Sequence, residues 1–392
     1  MRLYSRDDEE RVRAQAQLRA WRRAGLLDPG RAAALEAEVR PDLKRTNDLL
    51  RAGVAAFTIV IVVAAVLLVG IVVNVNVLKP SVVALIAGVA AVACLAGAEF
   101  LVSSLRLYRF GVEEALAICS AALFGVAAMA GFSEPGGHHE DAIAGLVACS
   151  LAALWIYVRF GFLYAAVAAM AGAALIPFQL DLIDTTQRLM AFAILVLVFV
   201  FARTRRLRHQ DDFEGDEYAT LQAVSMAGLY LTMNLQLTDV TNLLIARAVV
   251  GHGWFYWTTY VAIWLIPLVG FRMGIRQRDR ELIDVSVLLG LVTLVTNKPY
   301  LGWPRHTWDP MLLGLVLMAG TIALRRWLAR GSGGARAGFT AARILDTDKH
   351  AVTILATASA ALRPDLATAP AAPARTGFEG GQSGGGGGGA SF

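Results

Sequence analysis

Four of the six histidines stand in short polar segments between apolar blocks. His138 and His139 precede Glu140 and Asp141. His252 precedes Trp254, Tyr256 and Trp257. His306 lies between Trp303 and Trp308, in a stretch from Asn297 to Pro310 that holds three prolines. Imidazole and carboxylate are suitable ligands for zinc and related ions. No cofactor is expected; should a transition metal bind, His138, His139, Asp141, His252 and His306 are its candidate ligands, with Trp254, Trp257, Trp303 and Trp308 as candidate walls of a ligand site. A topographic reading competes with this one. Trp and Tyr collect at membrane interfaces whatever the function, and adjacent His138 and His139 point different ways on any regular element.

A second set of ionisable groups, Glu99, Glu113, Glu114 and Asp284, falls in or beside apolar blocks. A carboxylate inside a membrane suggests an ion or proton path. The nearby arginines Arg106, Arg109 and Arg280 favour plain end-pairing, within reach of water. Cys94, Cys119 and Cys149 lie inside apolar blocks at spacings that match no zinc, haem or redox pattern, and read as small hydrophobes. The acidic stretch from Asp211 to Glu217 lacks the spacing of a calcium loop. No phosphate-binding glycine loop, His-Glu-x-x-His motif or Gly-x-Ser-x-Gly elbow is present, so no catalytic residue can be named.

The elements that must position these groups follow from composition. The chain of 392 residues is 56% hydrophobic and 17% charged, where a soluble protein carries about a quarter charged residues. The block Val54 to Val73 holds twenty residues interrupted only by Thr58 and Gly70. At about 1.5 Å per residue it matches a hydrocarbon core of about 30 Å. Eight further blocks follow: 82–98, 115–132, 142–158, 162–178, 189–202, 254–271, 282–296 and 311–324. A tenth, Ala219 to Leu235, carries Thr220, Gln222, Ser225, Thr232 and Asn234, so it either crosses the membrane facing other helices or lies in the interface.

Charge decides for crossing. With ten spans, 31 of the 36 basic residues fall on the N-terminal side of the membrane and five, Lys79, Arg188, Arg247, Lys298 and Arg305, on the other. The basic side is the cytoplasmic one. The expected fold is thus all-α: a polytopic transmembrane bundle of about ten helices in the cytoplasmic (inner) membrane, with both termini cytoplasmic. The formal charge of +5 is topogenic, which leaves membrane lipid as the expected partner and removes the reason to invoke nucleic acid. Small residues four apart in the second block, such as Ala84 with Gly88 and Ala87 with Ala91, predict close helix packing.

Outside the membrane, Asp7 to Ala24 reads as a helix with acidic residues in its first turn and Gly25 as its stop, and Asp28 and Pro29 as the cap and first position of a second. Residues 1–50 are expected to form a small cytoplasmic helical hairpin using Val12, Leu18, Trp21 and Leu35, residues 51–328 the membrane domain, and 329–392 a linker, a helix from Thr340 to Leu362 and a disordered Gly-rich tail. The first apolar block follows a polar stretch with no cleavage site, so it should itself direct insertion.

The run Leu18-Arg19-Ala20-Trp21-Arg22-Arg23-Ala24-Gly25-Leu26-Leu27-Asp28, a second short helix and a chain of spans resemble the predicted bacterial membrane proteins grouped as domain of unknown function 2157. The resemblance covers about residues 10–75. It implies an N-terminal helical domain joined to a multi-pass domain, and supplies no activity and no site residues.

Two functions stay open. One is a non-enzymatic transporter-like or scaffold protein that meets a protein partner through its hairpin or tail. The other is a membrane-embedded enzyme acting on a lipid-linked or envelope substrate at the external face. A polar path through the bundle favours the first, and a convergent histidine pocket the second. The threading predicts that a topology reporter fused after Ser332 reports cytoplasm and one inserted between Ser133 and Asp141 reports periplasm; the opposite result at either site overturns it.

Overall fold

In lipid an apolar segment satisfies its own backbone only as a helix or a closed barrel, and helices are what this chain forms. The computed structural model describes residues 3–4, 6–23, 27–39, 43–44, 46–73, 79–133, 140–208, 214–237, 253–302, 309–331, 335–336 and 339–340. Among them are α1 (Arg6–Arg23), α2 (Pro29–Glu38), α3 (Asp48–Val72), α4 (Pro80–Leu105), α5 (Val112–Gly131), α6 (Glu140–Phe160) and α7 (Leu163–Leu175), the last continued by a 3-10 turn, Ile176–Gln179. There follow α8 (Asp184–Arg208), α9 (Glu214–Met233), α10 (Trp254–Gln277), α11 (Arg280–Tyr300) and α12 (Asp309–Ala329). A two-residue antiparallel ladder pairs Ala335–Arg336 with Phe339–Thr340. The expected helix from Thr340 therefore meets a strand at its first residue, and residues 341–392, with the Gly-rich end, lie outside the described residues.

Among the described residues six helices, α3, α4, α5, α6, α8 and α10, are long and apolar enough to cross a membrane. The other four expected spans are helices too: α7 is a shorter apolar helix, α9 carries the polar side chains the sequence marked, and α11 and α12 are each 21 residues long. Asp28 caps α2 as its sequence predicts, its Oδ2 accepting from Gly30 N at 3.1 Å, with Pro29 in the first turn. The chain divides into two compact units, residues 1–317 and 318–392. The second holds the end of α12 and the small ladder.

Within the first unit, α4 packs on α5, α5 on α6 and α6 on α7. The small residues of α4 make the close approach they predict: Ala87, Ala91 and Ala98 are buried, and the Ser120 hydroxyl donates across to the Ala91 carbonyl at 2.9 Å. By contrast, the apolar stretch of α3 buries none of its residues, as a helix facing lipid would.

The N-terminal segment is stitched to one end of these helices. Leu3 N donates to the Arg159 carbonyl at 2.8 Å, and Lys44 pairs in parallel with Leu107. Val12 is buried in the same core as Tyr4, Ala98 and Val102. One residue on, the Arg13 guanidinium reaches Glu217 at the start of α9, at 2.7 Å. The turns 106–111, 160–162 and the first turn of α9 are thereby at one end of the unit, called basal here. Trp21 and Leu35, expected to lie inside a hairpin contact, are 44% and 38% exposed; α1 turns Val12 and Leu18 inward instead. α1 does pack on α2, with Arg22 and Glu36 3.8 Å apart.

Gly111 shows how tightly the basal end is built. Its φ is +112°, and a Cβ there would collide with the carbonyl oxygen of Arg51 on α3. Both effects penalise a side chain, each by about 1 kcal/mol or more. Gly111→Ala should lower stability by about 2 kcal/mol or more in detergent unfolding, whereas Gly53→Ala, with open space around it, should change it by less than about 0.5 kcal/mol. Equal effects would contradict this packing.

Candidate functional site

Helix α9 is the polar helix of the bundle, and its neighbours hide its polar side. Gln222, Ser225, Tyr230 and Asn234 are fully buried. Their spacing of three to five residues puts them on one stripe of a helix. Around it stand α7, α8, α10 and α11.

At the basal end of the stripe, Arg206 of α8 donates to Gln222 Oε1 at 3.4 Å, to Gln277 Oε1 at 3.3 Å and to the carboxylate of Asp279. Asp279 is buried and caps α11 through Leu282 N. This single guanidinium therefore ties together α8, α9, the end of α10 and the start of α11. Among the described residues the Gln222 amide nitrogen has no hydrogen-bond partner.

Midway, hydroxyls line the seam. Ser225 donates to the Gln222 carbonyl and Ser286 to the Leu282 carbonyl. Such back-bonding to the own helix uses the hydroxyl proton and leaves oxygen lone pairs for an incoming donor. Gly270 of α10 lets this crossing close, since a Cβ there would collide with Met226 and Ser286.

Further along, Asn234 Nδ2 donates to Tyr230 Oη at 2.9 Å, and Tyr230 Oη and Thr293 Oγ1 lie 2.9 Å apart. Thr293 Oγ1 reaches the Ile263 carbonyl, also at 2.9 Å. That last bond has a backbone cause. Pro267 inside α10 has no N–H to offer the carbonyl four residues earlier, and the carbonyl so freed is Ile263. At the far end Tyr300 Oη accepts from Leu235 N at 2.7 Å, Tyr256 Oη donates to the Tyr300 carbonyl at 2.8 Å, and Arg188 of α8 donates to the Thr232 carbonyl at 3.1 Å. α8 and α10 thus run antiparallel to α9 and α11 parallel to it, over its full length.

The expected metal site is placed only in part. His138, His139, His252, His306, Trp303 and Trp308 lie outside the described residues. Asp141 is in the first turn of α6, where its side chain accepts from Ala142 N at 2.7 Å. Trp254 and Trp257 are 73% and 49% exposed at the start of α10, consistent with an interfacial belt. Among the described residues no three His, Cys, Asp or Glu side chains stand together as metal ligands.

The carboxylates differ from expectation in their partners. Glu114 is gripped by Arg51 of α3, whose Nε donates at 2.6 Å, and Glu99 by Arg159 at 2.8 Å; Asp284 alone keeps the expected partner, Arg280, at 3.5 Å. Glu113 and Glu114 are buried, not within reach of water. Chain-distant partners such as Arg51 leave no local trace in a sequence. The seam was signalled only by the polar residues of 219–235, since the tyrosines and threonines facing them read as ordinary span residues. No protein-family model, curated protein or solved structure matches the chain.

The hydrogen-bond chain gives a direct test. Thr293→Val removes the partner of Tyr230 and of the Ile263 carbonyl and should cost about 1 kcal/mol, near the upper part of the range for polar contacts in membranes. Thr258→Val, whose exposed hydroxyl bonds only its own helix, should cost less than about 0.5 kcal/mol. The double variant Tyr230→Phe with Thr293→Val should cost less than the sum of the singles; strict additivity would deny the chain.

Proposed function

We propose that the chain is a non-enzymatic, transporter-like protein of the bacterial inner membrane, threaded ten times with both termini cytoplasmic, which passes a small polar solute or ion along the seam of α9, α10 and α11. The observation that carries this reading is the line of buried polar side chains from Gln222 to Asn234 on α9. A scaffold needs no such line, and lipid penalises it.

The threading has two supports. α8 and α10 are each long and apolar enough to cross, and α9 and α11 are bonded to them at both ends. The 20 residues of α9 extend about 30 Å, one hydrocarbon thickness. The basic residues gather at the basal end, which supports a cytoplasmic side there. The resemblance to domain of unknown function 2157 accords with an N-terminal helical domain, residues 1–50, ahead of a membrane domain, 51–328. Lipid covers α3, and the exposed Trp21 and Leu35 offer a cytoplasmic protein partner its contact.

A conducting seam must admit water. In a variant with Cys94, Cys119 and Cys149 replaced by Ala, single cysteines at Ser225, Ser286 and Thr293 should react with a small membrane-impermeant thiol reagent in native membranes, and cysteines at the lipid-facing Leu197 and Leu268 should not. Protection of all three seam positions from both sides of the membrane would overturn the transport reading.

A further inference from the structure

A seam that passes a solute has to open at its ends, and the two ends of this one are fastened differently. At the far end the ties run to the backbone: Arg188 donates to the Thr232 carbonyl, Tyr256 to the Tyr300 carbonyl, and Tyr300 accepts from Leu235 N. At the basal end they run from side chain to side chain and converge on one nitrogen, Arg206 Nη1. Two of its contacts are long, 3.4 Å to Gln222 and 3.3 Å to Gln277, and the third, to the Asp279 carboxylate, carries the charge. One side chain therefore shuts this end, and one rotamer change releases it.

The closed arrangement carries costs that an opening removes. Arg206 and Asp279 are 17% and 4% exposed, and the loss of hydration of such a pair offsets much of its attraction. Gln222 is fully buried, and among the described residues its Nε2 has no hydrogen-bond partner, a further penalty. Water or a polar solute admitted between α9 and α10 would pair with that amide and hydrate the carboxylate. The closed form thus gains the ion pair and the open form regains hydration, the opposition on which a two-state element depends.

The hinge such an element needs is present in α10. Gln277 ends that helix and Asp279 follows it by two residues; Pro267 stands inside it, ten residues before Gln277. Lacking an N–H, Pro267 leaves the Ile263 carbonyl to the Thr293 hydroxyl, and helices bend at such positions. Beyond the proline, Gly270 and Gly274 let the closed helix seat against its neighbours, since a Cβ would collide with Met226 and Ser286 at the first and with Ile283 at the second.

Resting on the transport reading above, we infer that residues 268–277, with the turn to Asp279, form the gate at the basal, cytoplasmic end of the seam, hinged at Pro267 and latched by Arg206.

The test uses the full chain with Cys94, Cys119 and Cys149 replaced by Ala and a single cysteine at Ser225, labelled by an impermeant maleimide in inverted and in right-side-out inner-membrane vesicles. Asp279→Asn removes the charge of the latch but keeps an oxygen to accept from Leu282 N, and should speed labelling in inverted vesicles by about tenfold or more. Pro267→Ala returns the missing N–H to α10 and should slow it by about threefold or more. Neither variant should change the rate in right-side-out vesicles, and Asp284→Asn, in an exposed pair with Arg280, should change neither rate. Elution from a sizing column in detergent at the parent's volume checks folding; if Asp279→Asn fails that check, Arg206→Gln takes its place. A parent cysteine that labels at a rate indifferent to the latch variant or to Pro267→Ala would overturn the gate and leave the transport reading standing. Equal acceleration from both sides would equally refute a gate at one end. Absence of labelling from either side in the parent and in every variant would overturn both.

Discussion

The polar side chains buried along α9 draw their partners from the helices packed around it, because a buried polar group left unpaired is costly. That constraint accounts for much of the second half of the chain. Arg206 is placed where one side chain can reach Gln222, Gln277 and Asp279. Thr293 is placed where it meets both Tyr230 and the carbonyl that Pro267 frees. Tyr300 seals the far end by accepting from Leu235 N. Remove α9 and its four neighbours keep apolar outer faces but lose the surface that sets their order.

The first half is built on a different principle. There, alanines and glycines let α4, α5 and α6 approach closely, and the ion pairs Arg51–Glu114 and Arg159–Glu99 stand at the basal end. Arg51 with Glu114, Arg159 with Glu99 and the Lys44–Leu107 pairing bind α3, the α4–α5 turn and the N-terminal segment together.

Much of the architecture was legible in the residues. Unbroken apolar blocks such as Val54 to Val73 gave helix positions directly, since a helix is the only local solution they have, and Asp28-Pro29 marked the start of α2 to the residue. The polar block 219–235 was readable as a helix facing others, because five polar side chains along it needed company. Helix ends were less legible: α3 begins at Asp48 and α4 runs to Leu105, as helices continue beyond the apolar core into the polar zone. Least legible were pairings between distant segments. Glu114 stands five residues from Arg109, yet its partner is Arg51, brought in by α3 and admitted by the bare backbone at Gly111. Likewise nothing around Tyr4 announces that it packs between Tyr108 and Phe162.

The central claim is that α9 crosses the membrane as a polar helix sheathed by α7, α8, α10 and α11. Its two ends can be located independently of any activity. In the cysteine-free background, single cysteines at Asp216 and Gln236 are exposed to an impermeant maleimide in right-side-out and in inverted inner-membrane vesicles. The account predicts labelling of Gln236→Cys only in right-side-out vesicles and of Asp216→Cys only in inverted ones. Labelling of both from the same side would place α9 in the interface and contradict the account.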